Sequence, residues 1–431
     1  MRSMLSLTVI ALGAAAATAP AFAQSYGAAS SAPQDIAPPA AAQRPVTPTA
    51  AGPLPLCQAG ISKGARGALI ALQTAVVAKN LAAVPGLVTA AQAAAKTSDD
   101  KCFIAQLQMK AAVDSNNLPG MAAAIAAQQA SGAVPAATMV ELYEGLGLRQ
   151  YKAAAYGEAS TSFERALQLA PNRSSAVVML GETRVKQGRV SDALPLYRKA
   201  IALETAAGRK AAENWYKRSV AVAYAAKNPL VFDLARDWAT AFPSAKNWRE
   251  AILIYGDVRQ VGDGAMIDLF RLQRIRRALV GNADYARYAQ LAVDRGFPGE
   301  AKGVLDEGFA ATAIDRNQAT IKALYALATA KSAGDRAALA GQAVTALAGA
   351  QAKPVMALGE AFFGYGDYVK AAEMFRAAKG KAGVDPELAN LRLGMALAAA
   401  GDKTGASAAL RLVTGPSAEI ARYWLTYAST R

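Results

Sequence analysis

Leu146-Gly147, Ala159, Phe163 and Ala166 recur 34 residues later as Leu180-Gly181, Ala193, Tyr197 and Ala200. Toward the C-terminus the pattern returns as Leu358-Gly359, Gly366, Ala371, Phe375 and Ala378, then 35 residues on as Leu393-Gly394, Gly401, Ala406, Leu410 and Val413. In each unit small and large apolar residues fall at helical spacing. Gly188, Gly366 and Gly401 divide two such segments, as glycine does where a helix ends in a left-handed cap. A pair of short amphipathic helices cannot bury its apolar face alone, and stacking on the next pair covers it. No strand-period segment of useful length appears, so the period confines the chain to an array of helix pairs.

These four units resemble tetratricopeptide repeats, whose unit is a helix, a tight turn and a second, antiparallel helix. The resemblance implies an all-α, right-handed superhelical solenoid of antiparallel helix pairs. Pro85-Gly86-Leu87 and Pro119-Gly120-Met121, also 34 apart, mark two degenerate units. Trp215 with Pro243, and the run Gly296, Ala301, Leu305 and Gly308, mark others, whereas residues 246–280 fit no unit. The predicted organisation is degenerate hairpins over 57–139, two clear repeats over 140–207, degenerate repeats over 208–351 and two clear repeats over 352–420. A capping helix over 417–431 carries Ile420, Tyr423, Trp424 and Tyr427.

Ahead of the repeats, Arg2, an apolar run from Leu5 to Ala17, Pro20 and Ala21-Phe22-Ala23 form a signal peptide over 1–23, with cleavage expected before Gln24. Residues 24–56, rich in Pro and Ala, read as a disordered tether. Later apolar stretches are interrupted by charge every few residues, so no membrane span is expected. The expected location is the periplasm, with full secretion as the other outcome. The chain has two cysteines, Cys57 and Cys102, and an oxidising compartment favours a bridge over two buried thiols. Such a bridge closes a loop of 45 residues. It is worth at most about 4 kcal/mol in the chain-entropy description.

The chain contains no histidine, which excludes Ser-His-Asp and Cys-His catalysis and His-ligated zinc or haem. Gly401-Asp402-Lys403-Thr404 lacks the spacing and preceding strand of a phosphate loop, and Gly262-Asp263-Gly264 lacks those of a dinucleotide site. Both read as turns. Glu141 and Glu144 share a helix face, but such acids are ordinarily solvated. No enzyme activity, cofactor or metal is expected.

The formal charge of +15 favours an anionic partner. Arg271, Arg274, Arg276 and Arg277, interleaved with Leu272, Ile275 and Leu279, read as an amphipathic helix with a solvated basic face. Nucleic acid is not expected, given export and because stacking aromatic residues are not concentrated beside the basic ones.

In tetratricopeptide proteins the first helix of each unit lines a concave groove for a peptide or helix. Carried over to this chain, the groove positions are Glu141, Glu144, Leu148, Tyr151 and Lys152, then Val178, Glu182, Val185 and Lys186. Lys152 and Lys186 are 34 residues apart and would stack on one wall, able to grip a carboxylate. The asparagines of the family's carboxylate clamp are missing. The expectation is a non-enzymatic periplasmic scaffold binding a protein or peptide partner, with an acidic partner favoured, in envelope assembly or secretion. The alternative is a binder of anionic glycan, either exopolysaccharide or cell wall.

Overall fold

A computed structural model describes residue 57 and residues 60–430. The expected signal peptide and tether lie outside the described residues. The chain divides into two compact units that meet between Val231 and Phe232. Among the described residues all regular structure is helical, apart from an isolated bridge between Gln351 and Ala382.

The first unit pairs α1 (Arg66–Val77) with α2 (Val84–Ala94), α3 (Ser98–Asp114) with α4 (Leu118–Ser131), α5 (Ala136–Lys152) with α6 (Tyr156–Leu169), and α7 (Ser174–Lys186) with α8 (Val190–Ala206). It closes on α9 (Glu213–Ala225), and α10 (Val231–Ala241) begins at the boundary.

The second unit continues with α11 (Ala245–Arg259), α12 (Asp263–Ile275), α13 (Gly281–Asp294), α14 (Pro298–Ala310), α15 (Ala319–Ser332) and α16 (Asp335–Ala348). It ends with α17 (Ala352–Gly364), α18 (Tyr368–Ala378), α19 (Pro386–Ala400), α20 (Lys403–Leu410) and α21 (Ala418–Thr430).

The Leu-Gly recurrence marks where the helices of a pair cross. A Cβ on Gly147 would stand 2.8 Å from the Phe163 ring, one on Gly359 2.5 Å from Phe375, and one on Gly394 2.4 Å from Leu410. In each case the large residue lies 16 positions after the glycine. The missing side chain lets that residue seat against the first helix, so the spacing is a packing rule written into the sequence. The turns follow the predicted chemistry, with φ at 74° for Gly188, 81° for Gly366 and 94° for Gly401. Asp367 N–H donates to Phe362 O and Gly366 N–H to Phe363 O, both at 2.9 Å, capping the last carbonyls of α17.

The start of the first unit is tied down twice. Cys57 and Cys102 are bonded, with Cα atoms 5.7 Å apart. Buried Asp100 accepts from Ser62 N (2.9 Å), Ser62 Oγ (2.8 Å), Lys96 N (2.8 Å) and Thr97 N (3.0 Å). Burial alone would raise this carboxyl, but the four donors outweigh it and hold the group well below the usual carboxylate range.

The second unit departs from simple nearest-neighbour stacking. There α17 packs on α14 as well as on its neighbour α16. The two helices touch where Gly299 faces Tyr365 and Gly364 faces Glu300. The buried residues of α16 are Leu339 and Ala343. Residues 246–280, expected to fit no repeat, form α11 and α12, with Trp248, Ile252 and Ile267 in the interior. The expected capping helix is α21, and it does more than cover the last hairpin. It also packs on α12, its Tyr423 hydroxyl donates to Ala251 O at 2.8 Å, and its Glu419 pairs with Arg236.

A candidate binding cleft on a neutralised floor

Two buried clusters of charge share one design. In the first unit Glu182 accepts from Arg218 Nε (2.9 Å) and Nη2 (2.9 Å), and the Tyr197 hydroxyl donates to the same carboxylate. In the second unit Glu300 accepts from Arg271 Nε (2.8 Å) and Nη2 (2.7 Å), with the Tyr288 hydroxyl at 2.6 Å. Arg271 also donates to Glu360 at 2.5 Å, and Arg392 bonds both Glu360 and Asp268, the latter at 2.6 Å. One continuous ionic network thus joins α12, α14, α17 and α19.

A charge in such an interior persists only when paired and hydrogen-bonded. Burial opposes ionisation of Glu360, yet Arg271 and Arg392 together pull its carboxyl down to about 2. Burial instead dominates at Asp268 and raises its carboxyl despite Arg392 and Arg271. Arg271 is held well above its ordinary value by Glu300 and Glu360, which outweigh its desolvation.

This overturns the reading of Arg271, Arg274, Arg276 and Arg277 as a solvated basic face. Arg271 is 1% exposed. Arg274 makes two bonds to Glu307, at 2.9 and 2.6 Å, and Arg276 lies over the Trp248 ring, 5.0 Å from its centroid. Among the four, Arg277 is the exposed one. The glutamates that bind Arg271 and Arg274 most closely come from other helices, so local sequence showed these arginines without the groups that neutralise them.

Above the network opens a cleft of about 920 Å³ between α14, α16 and α17. Its floor includes Glu300 and Glu360, whose charge is already answered from beneath. Apolar wall comes from Phe297, Leu339, Pro354 and Leu358, and polar rim from Arg295 and Gln342. Asp335 at the edge accepts from the Tyr365 hydroxyl at 3.0 Å. Burial and that carboxylate push the phenol up to about 12, so it stays a neutral donor. Every acid of the cleft therefore has an internal partner, and what faces a ligand is apolar wall with hydrogen-bonding side chains at the rim.

The positions expected to line a groove are dispersed. Glu141 and Lys152 are exposed, while Leu148, Val185 and Lys186 are half-buried. Glu144 is committed to Arg173, at 2.9 Å. Tyr151 is buried and meets the Tyr156 ring edge-on. Glu182 is fully buried and bound by Arg218 and Tyr197, so it does not face a ligand; Val178 is fully buried as well. The reason is that α7 is enclosed from Ala176 to Thr183, on all its faces at once.

Reasoning from sequence missed Glu300 and Glu360, although one signal was present. Leu180-Gly181-Glu182 and Leu358-Gly359-Glu360 both place a glutamate directly after the crossing glycine. Each has an arginine about one repeat on, Arg218 and Arg392, at separations of 36 and 32 residues.

No protein-family model matches the chain. None of the curated proteins matches it in sequence. Among solved structures it is similar to the TPR2AB domain of yeast Sti1 in complex with pHSP90, at 13% identity over 68% of this chain and 99% of that one, with a TM-score of 0.25. It is similar to Naa15/Naa10 bound to HypK-THB at 12% identity over 82% of this chain and 68% of that one, with a TM-score of 0.18. For the APC/C hetero-tetramer Cut9-Hcn1 the values are 12%, 82%, 87% and 0.17. The class is defined by the helix pairs themselves, of which the clear ones recur at 34 or 35 residues and close on a glycine: this is an all-α helical-repeat protein.

Proposed function

We propose that the chain is a non-enzymatic, exported scaffold that binds a segment of a protein partner, and that the cleft between α14, α16 and α17 is its binding site. The observation that carries this reading is the cleft's chemistry. It is large enough for several side chains, largely apolar, and floored by carboxylates already paired inside the protein. Such a site rewards burial of an apolar segment and has no acid poised to act on it. An acidic group on the partner would meet Arg295 at the rim, consistent with the basic surplus of the chain. Export to the periplasm is supported by the leader-like residues 1–23 and by the bonded Cys57–Cys102 pair. Among the described residues no helix is long and apolar enough to cross a membrane. A role in envelope assembly or secretion follows from that location.

Crosslinking of the tagged protein in envelope extract, followed by mass spectrometry, tests the reading against an Ala357→Trp variant that fills the cleft. A protein captured by the wild type and lost with the variant is expected. Capture that survives Ala357→Trp but fails in Lys152→Glu/Lys186→Glu would move the site to the α5/α7 surface.

A second observation favours anionic glycan as the other reading. A shallow groove of about 740 Å³ between α20 and α21 is lined by Lys403, Thr404, Ser407, Arg411, Thr426 and Ser429, with no carboxylate among its lining residues. Cations set among hydroxyls suit an acidic saccharide. Recovery of polysaccharide that dissociates in modest salt and is lost with Arg411→Glu would establish it.

A further inference from the structure

The outer face of the first hairpin has none of the features expected at the end of a repeat array. Terminal repeats ordinarily turn a polar face to water, because their apolar surface has no further neighbour. The last helix, α21, conforms: it turns Arg422 and Ser429 outward. By contrast α1 and α2 carry no charged residue between Arg66 and Lys79 or between Lys79 and Lys96. Ile70 is 55% exposed, Val77 64% and Leu81 37%, so large apolar side chains stand on a surface whose charges are confined to Arg66, Lys79 and Lys96. On α2 the outward positions include Pro85, Thr89 and Ala93, none of them charged.

The face of α1 is also self-complementary. Gly67, Ala71, Thr74 and Ala78 are small or compact and follow each other at 4, 3 and 4 residues, the spacing of one helical seam. Ile70 and Val77 flank that seam, four residues before and three after Thr74. Two such helices crossing antiparallel about a two-fold axis near Thr74 place Ile70 of one copy against Val77 of the other, twice over. Self-complementarity of this kind is what a two-fold contact requires. Charge points to the same occupant. Two copies of a chain with a formal charge of +15 repel wherever their cationic surfaces face each other, and between Arg66 and Lys79 this hairpin offers a stretch without charge.

We propose that the protein pairs with a second copy of itself through the outer face of α1 and α2. The contact is apolar, so it withstands salt rather than dissolving in it. It lies in the first unit and is independent of whether the α14/α16/α17 cleft binds a partner.

Sedimentation equilibrium of the purified full chain from micromolar to submillimolar concentration, at low and high salt, tests the proposal. The expected result is a reversible dimer, at least as tight in high salt, which Ile70→Lys and Val77→Lys each weaken by tenfold or more while helicity is unchanged. Val369→Lys, an equally exposed apolar position on α18, should leave the dimer intact. Should either lysine variant lose helicity, Thr74→Arg at the exposed centre of the seam repeats the test. A wild type that is monomeric throughout overturns the proposal, as does a dimer unmoved by Ile70→Lys/Val77→Lys and by Thr74→Arg.

Discussion

Arg392 on α19 donates to Asp268 on α12 over 2.6 Å, although 124 residues of chain separate them. Both side chains are buried, at 5% and 3% exposure, so the bond is made where an unpaired charge is least tolerable. It ties the last clear repeat back to a helix near the start of the second unit. Arg392→Ala alone should therefore cost ~3–5 kcal/mol, because it takes the near cation from buried Asp268 and one of two from Glu360, and Asp268→Ala should cost less, because Arg392 keeps Glu360. Urea denaturation checks this, and the double variant should cost less than the sum of the singles.

Opposite outcomes are expected two residues apart on α5. Gly145 is exposed with nothing within 4 Å of an added Cβ, whereas a Cβ on Gly147 would press into the Phe163 ring at 2.8 Å. Gly145→Ala should stabilise by ~0.5–1 kcal/mol through helix propensity. Gly147→Ala should destabilise by ~1–3 kcal/mol through overpacking. Paired thermal melts distinguish them by the sign of the shift.

The turn after α5 repeats the turn after α7 with the wrong residue for its backbone. Ala154 N–H donates to Tyr151 O (3.0 Å) and Ala155 N–H to Gln150 O (2.9 Å), as Gly188 and Arg189 do to Val185 and Arg184. Ala154 takes φ of 60° there, where Gly188 takes 74°. Ala154→Gly should stabilise by up to ~1 kcal/mol by removing the Cβ clash of the left-handed conformation. Chemical denaturation would reveal it as a raised midpoint at constant slope.

Acid should loosen the second unit through Glu360. Its carboxyl is pulled from 4.5 to about 2 by Arg271 and Arg392 against the opposing effect of burial. A folded-state value below the unfolded one contributes stability that is complete above about 4.5 and is lost as pH falls through about 2. Asp268 is shifted the other way by burial, so its protonation favours the folded state and offsets part of this loss. Melting temperature should fall as pH drops from 5 toward 2, and Glu360→Gln should flatten the dependence within that window while lowering stability at neutral pH.

Much of the architecture was legible because it depends on contacts within a single repeat. Leu146-Gly147 and Phe163 lie in one hairpin, and Gly188, Gly366 and Gly401 sit in turns whose backbone demands them. What escaped depends on residues that meet from distant parts of the chain. Arg271 looked like surface because Glu300 and Glu360 belong to other helices, and Glu182 looked like groove because Arg218 arrives from the next pair. Residues 246–280 carried no repeat signature because their core is supplied partly by α21, through Tyr423 and its bond to Ala251. The cleft itself exists because α17 reaches α14 as well as α16, at contacts where glycines 299 and 364 admit Tyr365 and Glu300 from the other side.

The central claim, that the cleft holds a protein partner, is tested most directly by photo-crosslinking in intact cells from p-benzoylphenylalanine placed at Gln342 on the cleft rim. The same probe at exposed Lys152, and at Gln342 in an Ala357→Trp background, serves as the comparison. The account predicts a discrete protein adduct from position 342 that is absent from position 152 and abolished by Ala357→Trp. An adduct from position 152 alone, or one from position 342 that is indifferent to the filled cleft, would contradict it.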